Sequence, residues 1–243
     1  MVDDIDGHEA VLGRPRRPSP MGGGRPVRAD LAAFDGMPDG VDDVLPASGR
    51  VRLLIVGVNP GLWTAAVNAP FAFPGNRFWP SLHRAGLTER LVDAAAGLSA
   101  DDEAQLLGRG IGITNLVGRA TARADELTRD ELRAGGARLV ERLTRPGVSQ
   151  SSDANAEHGA GPSVNPHPGL RPDAVAVAGI TAFRTAFGLP KARLGRQDPA
   201  LVPGWPPGVA LWVVPQPSGL NAHATVDSLA GQWREVWSSL PPV

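Results

Sequence analysis

Short apolar runs that stop at turn residues alternate with amphipathic stretches along most of this chain. The run Leu53–Val56 has no polar alternation and stops at Gly57, which is typical of a strand buried on both faces of a sheet. Comparable runs at 110–117, 173–178 and 209–214 predict three more strands. The hydrophobic pattern therefore indicates a central sheet whose strands are spread along the chain.

Amphipathic stretches with capping signals lie between these runs. Thr128 and Glu131 form a capping box, and the pair Gly135 and Gly136 inside the helix that follows predicts close packing against a neighbouring element. Other helices are predicted after Asn76, at 89–96, at 101–107, at 181–187 and around Trp233. This alternation predicts an α/β fold, a three-layer α/β/α sandwich with a mostly parallel central sheet of four or five strands.

Two stretches contain few apolar residues. Residues 1–28 are rich in Gly, Pro and Arg, which predicts a disordered tail or, more specifically, a basic arm that adds non-specific DNA affinity. Residues 145–172 are rich in Gly, Pro, Ser and Asn and longer than an ordinary connection, which predicts a flexible insert. Residues 29–243 are otherwise predicted to form one domain.

The residue types that are missing from the chain exclude several kinds of chemistry. It has no cysteine, which excludes disulfides, cysteine-ligated zinc, iron–sulfur clusters and thiol catalysis. The five histidines lack metal-ligand spacing, so we expect neither a metal nor an organic cofactor. No apolar stretch reaches the roughly 18 residues of a membrane span, and the acidic first ten residues are unlike a signal peptide. We therefore expect a cytoplasmic protein that is not secreted and has no membrane partner.

The charge of the chain is unevenly distributed. The formal net charge is −1, but residues 1–50 carry nine acidic and six basic side chains, whereas residues 51–243 carry 16 acidic and 18 basic ones. All basic residues except Lys191 are arginines, whose planar guanidinium suits phosphates and base edges. This small positive surplus permits a nucleic-acid partner without requiring one.

Polar and aromatic residues follow two of the predicted strands. Asn59 comes directly after the first strand, a loop containing Phe71 follows it, and Ser218 lies in the loop after the last strand. Ligands of open α/β sheets bind at the carboxyl ends of the strands. These three residues are therefore predicted to share one site.

Five short motifs, in order, resemble those of the mismatch-specific uracil-DNA and thymine-DNA glycosylases. The resemblance covers roughly residues 51–144 and 173–238. The motifs are GVNPGL at 57–62, PGNRFW at 74–79, GITNLV at 112–117, GG at 135–136 and PSGL at 217–220. The resemblance implies an enzyme that extrudes a damaged or mismatched base from double-stranded DNA and hydrolyses its N-glycosidic bond, leaving an abasic site.

The resemblance implies roles for three residues near the first strand. Asn59 would orient the attacking water. Because an amide has no pKa suited to a general base, catalysis should depend on how well the departing base carries negative charge. Phe71 would stack on the extruded base, an interaction worth about 1–3 kcal/mol, although an ordinary core role stays open. The backbone N–H of Val58 is a candidate donor to the leaving base.

The same resemblance suggests which bases the pocket accepts. Gly61 stands where the uracil-only branch has a tyrosine that excludes the 5-methyl group of thymine, and this chain has no tyrosine. Thymine and bulkier bases are therefore expected to fit. Asn115 either lines the pocket or touches the water, or it merely caps a turn. Gln216, where the family usually has Asn or Met, completes the predicted base-binding pocket.

The last motif predicts a DNA wedge formed by Ser218, Gly219, Leu220 and Asn221. The resemblance implies that Leu220 fills the gap left by the extruded base and that Ser218 contacts a phosphate. Ala222 stands where the family usually has an arginine. The grip on the opposite strand, and with it the discrimination for guanine, is expected to be weaker.

Two other functions are compatible with these motifs. A protein that binds mismatches without cutting would keep the same wedge. An unrelated α/β protein would bind a nucleotide, although GVNPG lacks the GxGxxG and GxxxxGK[ST] spacings. The partner predicted for the glycosylase is double-stranded DNA with a mismatched or damaged base, bound by a monomer that is associated with the nucleoid through DNA.

Overall fold

The structure is a computed structural model that describes most of the chain. The described residues are 16–46, 50–145, 170–219, 221–222 and 224–242. The predicted insert at 145–172 lies almost entirely outside them, as does Leu220 of the predicted wedge.

The described residues form one five-stranded sheet. Its strands are β1 (Leu53–Gly57), β2 (Ile111–Asn115), β3 (Ala174–Ala178), β4 (Gly195–Gln197) and β5 (Ala210–Val214). The strand order is β2-β1-β3-β5-β4, and all pairs are parallel except β4 with β5. This confirms the predicted, mostly parallel sheet of four or five strands. The hydrophobic pattern does not predict β4, because this edge strand has the sequence Gly-Arg-Gln and none of its residues is buried.

Six α-helices connect the strands in the described residues. They are α1 (Leu62–Val67), α2 (Phe78–Arg84), α3 (Ala100–Leu107), α4 (Arg129–Thr144), α5 (Ile180–Ala186) and α6 (Val226–Ser238). Ser99 and Thr128 cap α3 and α4 through complete capping boxes, of which the sequence pattern predicts the one at Thr128. The α1 helix, which begins directly after Gly61, was not predicted.

The predicted helix at 89–96 is wrong. The stretch forms turns and loop instead. Val92 and Ala94 are buried in the core while Leu91 and Asp93 are exposed, an alternation typical of extended chain rather than of a helix. Tertiary packing thus overrides the helical propensity of this stretch.

Two hydrophobic cores lie on opposite faces of the sheet. Alternate residues of β1 face them in turn: Leu53 and Ile55 pack with residues of α1, α2, α3 and α6, whereas Leu54 and Val56 pack with residues of α4 and α5. All of β1 and β3 is buried. Helices therefore cover both faces, which confirms the predicted three layers.

Helix α4 approaches its neighbours closely at its two glycines, as the sequence predicts. A Cβ at Gly135 would overlap the Leu116 carbonyl, and one at Gly136 would lie 2.6 Å from the Ala186 carbonyl oxygen. Both obstacles are backbone atoms. Only glycine therefore fits at these positions without moving the helix.

Residues 16–28, which the sequence assigns to a disordered tail, lie against the domain instead. The Arg17 N–H and its Nε donate to the Asp42 carboxylate at 2.6 and 2.7 Å, and the Asn68 Nδ2 donates to the Arg17 carbonyl at 2.7 Å. Composition misses this docking because it depends on a few specific contacts, such as these polar ones and the burial of Pro26, rather than on a large apolar surface. Residues 1–15 lie outside the described residues.

The helices of the described ranges are short. The longest, α4, has 16 residues, and none has both the length and the apolar composition needed to span a bilayer.

Candidate active site

The parallel strands bring their carboxyl ends to one edge of the sheet. Gly57, the last residue of β1, pairs with Asn115, the last residue of β2. Asn59 follows β1 two residues later, on the turn that leads into α1. This edge is therefore where the polar residues predicted to act together are placed.

Hydrogen bonds fix the orientation of the Asn59 carboxamide. Its Nδ2 donates to the Arg119 carbonyl at 2.9 Å and to the Thr121 Oγ1 at 2.8 Å. A carbonyl oxygen can only accept, so the amide cannot be turned around. The Asn59 side chain is half-buried, and within the described residues its Oδ1 accepts no hydrogen bond. The Oδ1 is thus the atom left to accept a hydrogen bond from a water molecule.

The loop that holds Asn59 is itself held by two further interactions. The Thr121 hydroxyl donates to the Arg123 carbonyl at 2.8 Å, which leaves its lone pairs for Asn59. The Arg119 guanidinium makes a bidentate pair with the Glu131 carboxylate, at 2.6 and 3.1 Å. No local pattern in the sequence marks Arg119 and Thr121, because they act on a residue about 60 positions away.

Glu131 therefore links the cap of α4 to the turn that holds Asn59. The pKa of Glu131 is lowered from 4.5 to about 2, mainly by the hydrogen bond from Arg119; partial burial opposes this shift, and bonds from the Thr128 N–H and hydroxyl contribute to it. A carboxyl whose pKa is lower in the folded state than in the unfolded chain stabilises the fold when it is ionised.

This predicts a pH dependence for the Glu131→Gln variant. The stabilisation from Glu131 is present above about pH 4.5 and is lost as the pH falls towards 2, because the folded and unfolded proteins then bind the same proton. We expect the variant to be less stable than the wild type at pH 7 and the difference to shrink on acidification. Urea unfolding at pH 7, 5, 4 and 3 measures it; a difference independent of pH would contradict the assignment.

Phe71 and Asn115 meet above Gly57. A Cβ at Gly57 would overlap the Asn115 Oδ1 and lie 3.3 Å from the Phe71 Cζ. Phe71 has a φ of +54°, a conformation that aromatic residues rarely adopt, and its ring stacks on Phe78 with centroids 3.8 Å apart. Strained backbone of this kind is concentrated at functional sites. One face of the Phe71 ring is taken by Phe78, so the opposite face is the one that a base would stack on.

Asn115 has a polar side chain without a hydrogen-bond partner among the described residues, and it is half-buried. Of the roles open to it, capping a turn requires such a bond to the backbone, and none is made. Its position over Gly57 instead favours a role in lining the pocket.

The remaining predicted pocket residues lie around the same edge. A Cβ at Gly61 would meet nothing within 4 Å, so the place of the gating side chain is open space. A Cβ at Gly179, after β3, would lie 3.1 Å from the Val58 Cγ2 and 4.0 Å from the Gln216 Cβ. Val58 is buried and Gln216 exposed. Gln216 therefore stands at the rim rather than inside the pocket.

The predicted wedge residues stand beside the Phe71 loop. A Cβ at Gly219 would lie 2.6 Å from the Gly75 carbonyl oxygen, and the Arg77 N–H donates to the Pro217 carbonyl at 2.8 Å. Ser218 is half-buried, and the Asn221 Nδ2 donates to the Gln216 carbonyl at 3.0 Å.

A cavity of about 520 Å³ lies elsewhere, against β4 and the start of β5. Its walls include Arg196, Trp205, Val209 and Ala210. Ala210 is the first residue of β5, so this cavity is at the amino ends of the parallel strands. It is not part of the site around Asn59.

The groups at the Asn59 edge can orient and polarise, but they cannot take up a proton near neutral pH. A carboxamide offers one acceptor and two donors and does not titrate there. In the described part of the chain no three His, Asp or Glu side chains cluster as metal ligands would. The arrangement suits the positioning of a neutral water beside a bound heterocycle.

The comparison with known families agrees with this geometry. The family model of the uracil DNA glycosylase superfamily matches residues 46–240, which include all five strands and all six helices. Members of this superfamily are DNA repair glycosylases that hydrolyse the bond between a base such as uracil and its sugar. This chain belongs to the uracil-DNA glycosylase superfamily and is a DNA glycosylase.

Proposed function

We propose that the protein is a monofunctional glycosylase that excises uracil, thymine or a related damaged base mispaired with guanine in double-stranded DNA. The observation that carries the proposal is the fixed Asn59 carboxamide, whose Oδ1 is free to hold a water beside the Phe71 and Asn115 side chains. The base would be extruded from the duplex to reach this edge.

In the proposed reaction the water oxygen bonds to the sugar C1′ as the bond from C1′ to the base nitrogen breaks. The electron pair of the broken bond leaves with the base, which departs as an anion. The Asn59 Oδ1 accepts a hydrogen bond from the water but takes no proton, so the proton passes to solvent. The backbone N–H of Val58 is the proposed donor to the departing base.

Two features support the finer parts of the proposal. A glycosylase that also cleaves the strand through a covalent intermediate needs an amine nucleophile, and Lys191, the one lysine, is exposed in the loop after α5, which runs away from the Asn59 edge. The open space at Gly61 leaves room for the 5-methyl group of thymine. These two features support monofunctional cleavage and the acceptance of thymine.

A duplex with one labelled uracil or thymine opposite guanine, treated with hot alkali after incubation, tests this function. We expect strand scission at that base and no scission before the alkali. Retention of the duplex without scission would show that the protein binds this mismatch without cleaving it, and the absence of both retention and scission would contradict the proposed substrate.

The leaving-group dependence tests the mechanism. We expect 5-fluorouracil opposite guanine to be released faster than uracil in single-turnover assays, by about tenfold or more, because fluorine stabilises the departing anion while Asn59 supplies no base. Equal rates would show that bond cleavage is not limiting or that another group assists it.

A further inference from the structure

The guanidinium of Arg77 lies under the loop of residues 217–224, which the structure describes except for residues 220 and 223. Arg77 is half-buried at the start of α2. Its Nη1 donates to the carbonyls of Ser218, Asn221 and Ala224 at 3.2, 2.8 and 2.9 Å, and its Nη2 donates to that of Gly219 at 3.2 Å. One side chain thus contacts four carbonyls of a loop that is more than 140 positions away in sequence.

The main chain supports the same contact. The Arg77 N–H donates to the Pro217 carbonyl, and Gly219 packs on the Gly75 carbonyl so closely that no Cβ would fit. In the described part of the chain no carboxylate lies within 4 Å of the Arg77 guanidinium. Its charge is therefore balanced by carbonyl dipoles, and the loop is shaped around a cation.

We propose that Arg77 is the positioning residue that holds the 217–224 loop in its DNA-inserting shape before DNA arrives. The inference rests on the proposed function, because it assigns the loop to base extrusion. The described residues of the loop are Pro217, Ser218, Gly219, Asn221, Ala222 and Ala224, and none of them has a large apolar side chain to order the loop. Without Arg77, DNA binding would therefore have to supply the free energy that orders the loop. Both Nη atoms of the guanidinium donate to loop carbonyls, which ties the position of Arg77 to the loop backbone.

Two duplex substrates distinguish an effect on base extrusion from an effect on cleavage of the N-glycosidic bond. The first is a duplex with uracil opposite guanine. In the second, the same uracil lies opposite a nucleotide carrying a polycyclic aromatic such as pyrene, which fills the space of the whole base pair and keeps the uracil extruded. Arg77→Gln should lower the single-turnover rate on the first substrate about tenfold or more and should leave the rate on the second within about threefold of the wild type.

Two further variants make the comparison specific. Arg77→Lys keeps the charge but places its donors on one nitrogen, so an intermediate loss is expected on the first substrate. Arg84→Gln is the matched control, because Arg84 lies on the same helix, is 65% exposed and pairs only with Asp227 on the surface. We expect it to match the wild type on both substrates, and thermal melting of each variant checks that it is folded.

Amide hydrogen exchange gives a readout that needs no activity. Peptides covering 217–224 should exchange at least about tenfold faster in Arg77→Gln than in the wild type and Arg84→Gln, with little change elsewhere. If Arg77→Gln does not fold, Arg77→Lys must show the same local effect. Unchanged exchange in the loop, or an equal loss of rate on both substrates, would overturn the proposal. A different result would count against the proposed function alone: faster loop exchange in Arg77→Gln, as expected, together with a wild-type protein that cleaves neither substrate.

Discussion

Replacing Asn59 by alanine should lower the single-turnover rate of base excision by about 100- to 1,000-fold, the range seen when one preorganised polar group is removed from an active site. The reason is that the Oδ1 of Asn59 is the one acceptor that the hydrogen bonds to Arg119 and Thr121 leave for the water. Binding of the damaged duplex should change little, because the proposed role of Asn59 is to hold the water and not the DNA. Single-turnover rates at saturating enzyme measure the effect on excision. Filter retention of the labelled duplex measures its affinity.

Two companion substitutions test whether orientation is the cause. Asn59→Asp should not restore full activity, because a carboxylate oxygen would replace the Nδ2 that now lies 2.9 Å from the Arg119 carbonyl oxygen, and two acceptors repel. Thr121→Val keeps the shape of this buried side chain but removes the hydroxyl that accepts a hydrogen bond from the Asn59 Nδ2. We therefore expect the excision rate to fall by about tenfold. Near-full activity of Asn59→Ala would transfer the catalytic role to Asn115 or a nearby acid.

The second large effect concerns stability. Gly136→Ala should lower the free energy of unfolding by about 2–3 kcal/mol, because its Cβ would lie 2.6 Å from the Ala186 carbonyl oxygen, a backbone atom that cannot rotate away. Gly135→Ala should cost a similar amount through the Leu116 carbonyl. Urea unfolding monitored by tryptophan fluorescence measures both, at equal protein concentration and neutral pH.

The chain offers a matched control, in which the same substitution should raise the free energy of unfolding instead of lowering it. Gly231 also lies inside a helix, α6, but a Cβ there would meet nothing within 4 Å. Gly231→Ala should therefore stabilise the protein by about 0.5–1 kcal/mol. Destabilisation by all three substitutions would show that helix glycines are needed here for a reason other than close packing.

Substitutions at the two glycines of α4 are expected to differ in their effect on the excision rate. Gly135 packs on Leu116, which begins the loop that ends at Thr121 and holds Asn59, whereas Gly136 packs on Ala186 at the far end of α5. At a temperature where each variant is folded, Gly135→Ala should lower the excision rate and Gly136→Ala should leave it near that of the wild type. Equal effects on activity would contradict the proposed link between α4 and the site.

Local patterns in the sequence predicted the parts of the fold that depend on neighbouring residues. The run Leu53–Val56 predicted a strand with two buried faces, and Thr128 with Glu131 predicted the start of α4. The stretch 89–96 has helical composition but is not helical, because Val92 and Ala94 pack into the core at alternate positions rather than at helical spacing. Propensity acts over a few residues and gives way to such contacts.

By itself the sequence predicted strands β1, β2, β3 and β5, helices α2 to α6, the mostly parallel sheet and the place of Asn59 at its carboxyl edge, since hydrophobic period and caps extend over only a few residues. The tertiary structure alone decided which atom of the Asn59 amide is free and which cation shapes the 217–224 loop. Those outcomes depend on Arg119, Thr121 and Arg77, whose partners lie about 60 and more than 140 positions away. Hydrogen-bond direction is set by the groups that folding brings together, and no local pattern records it.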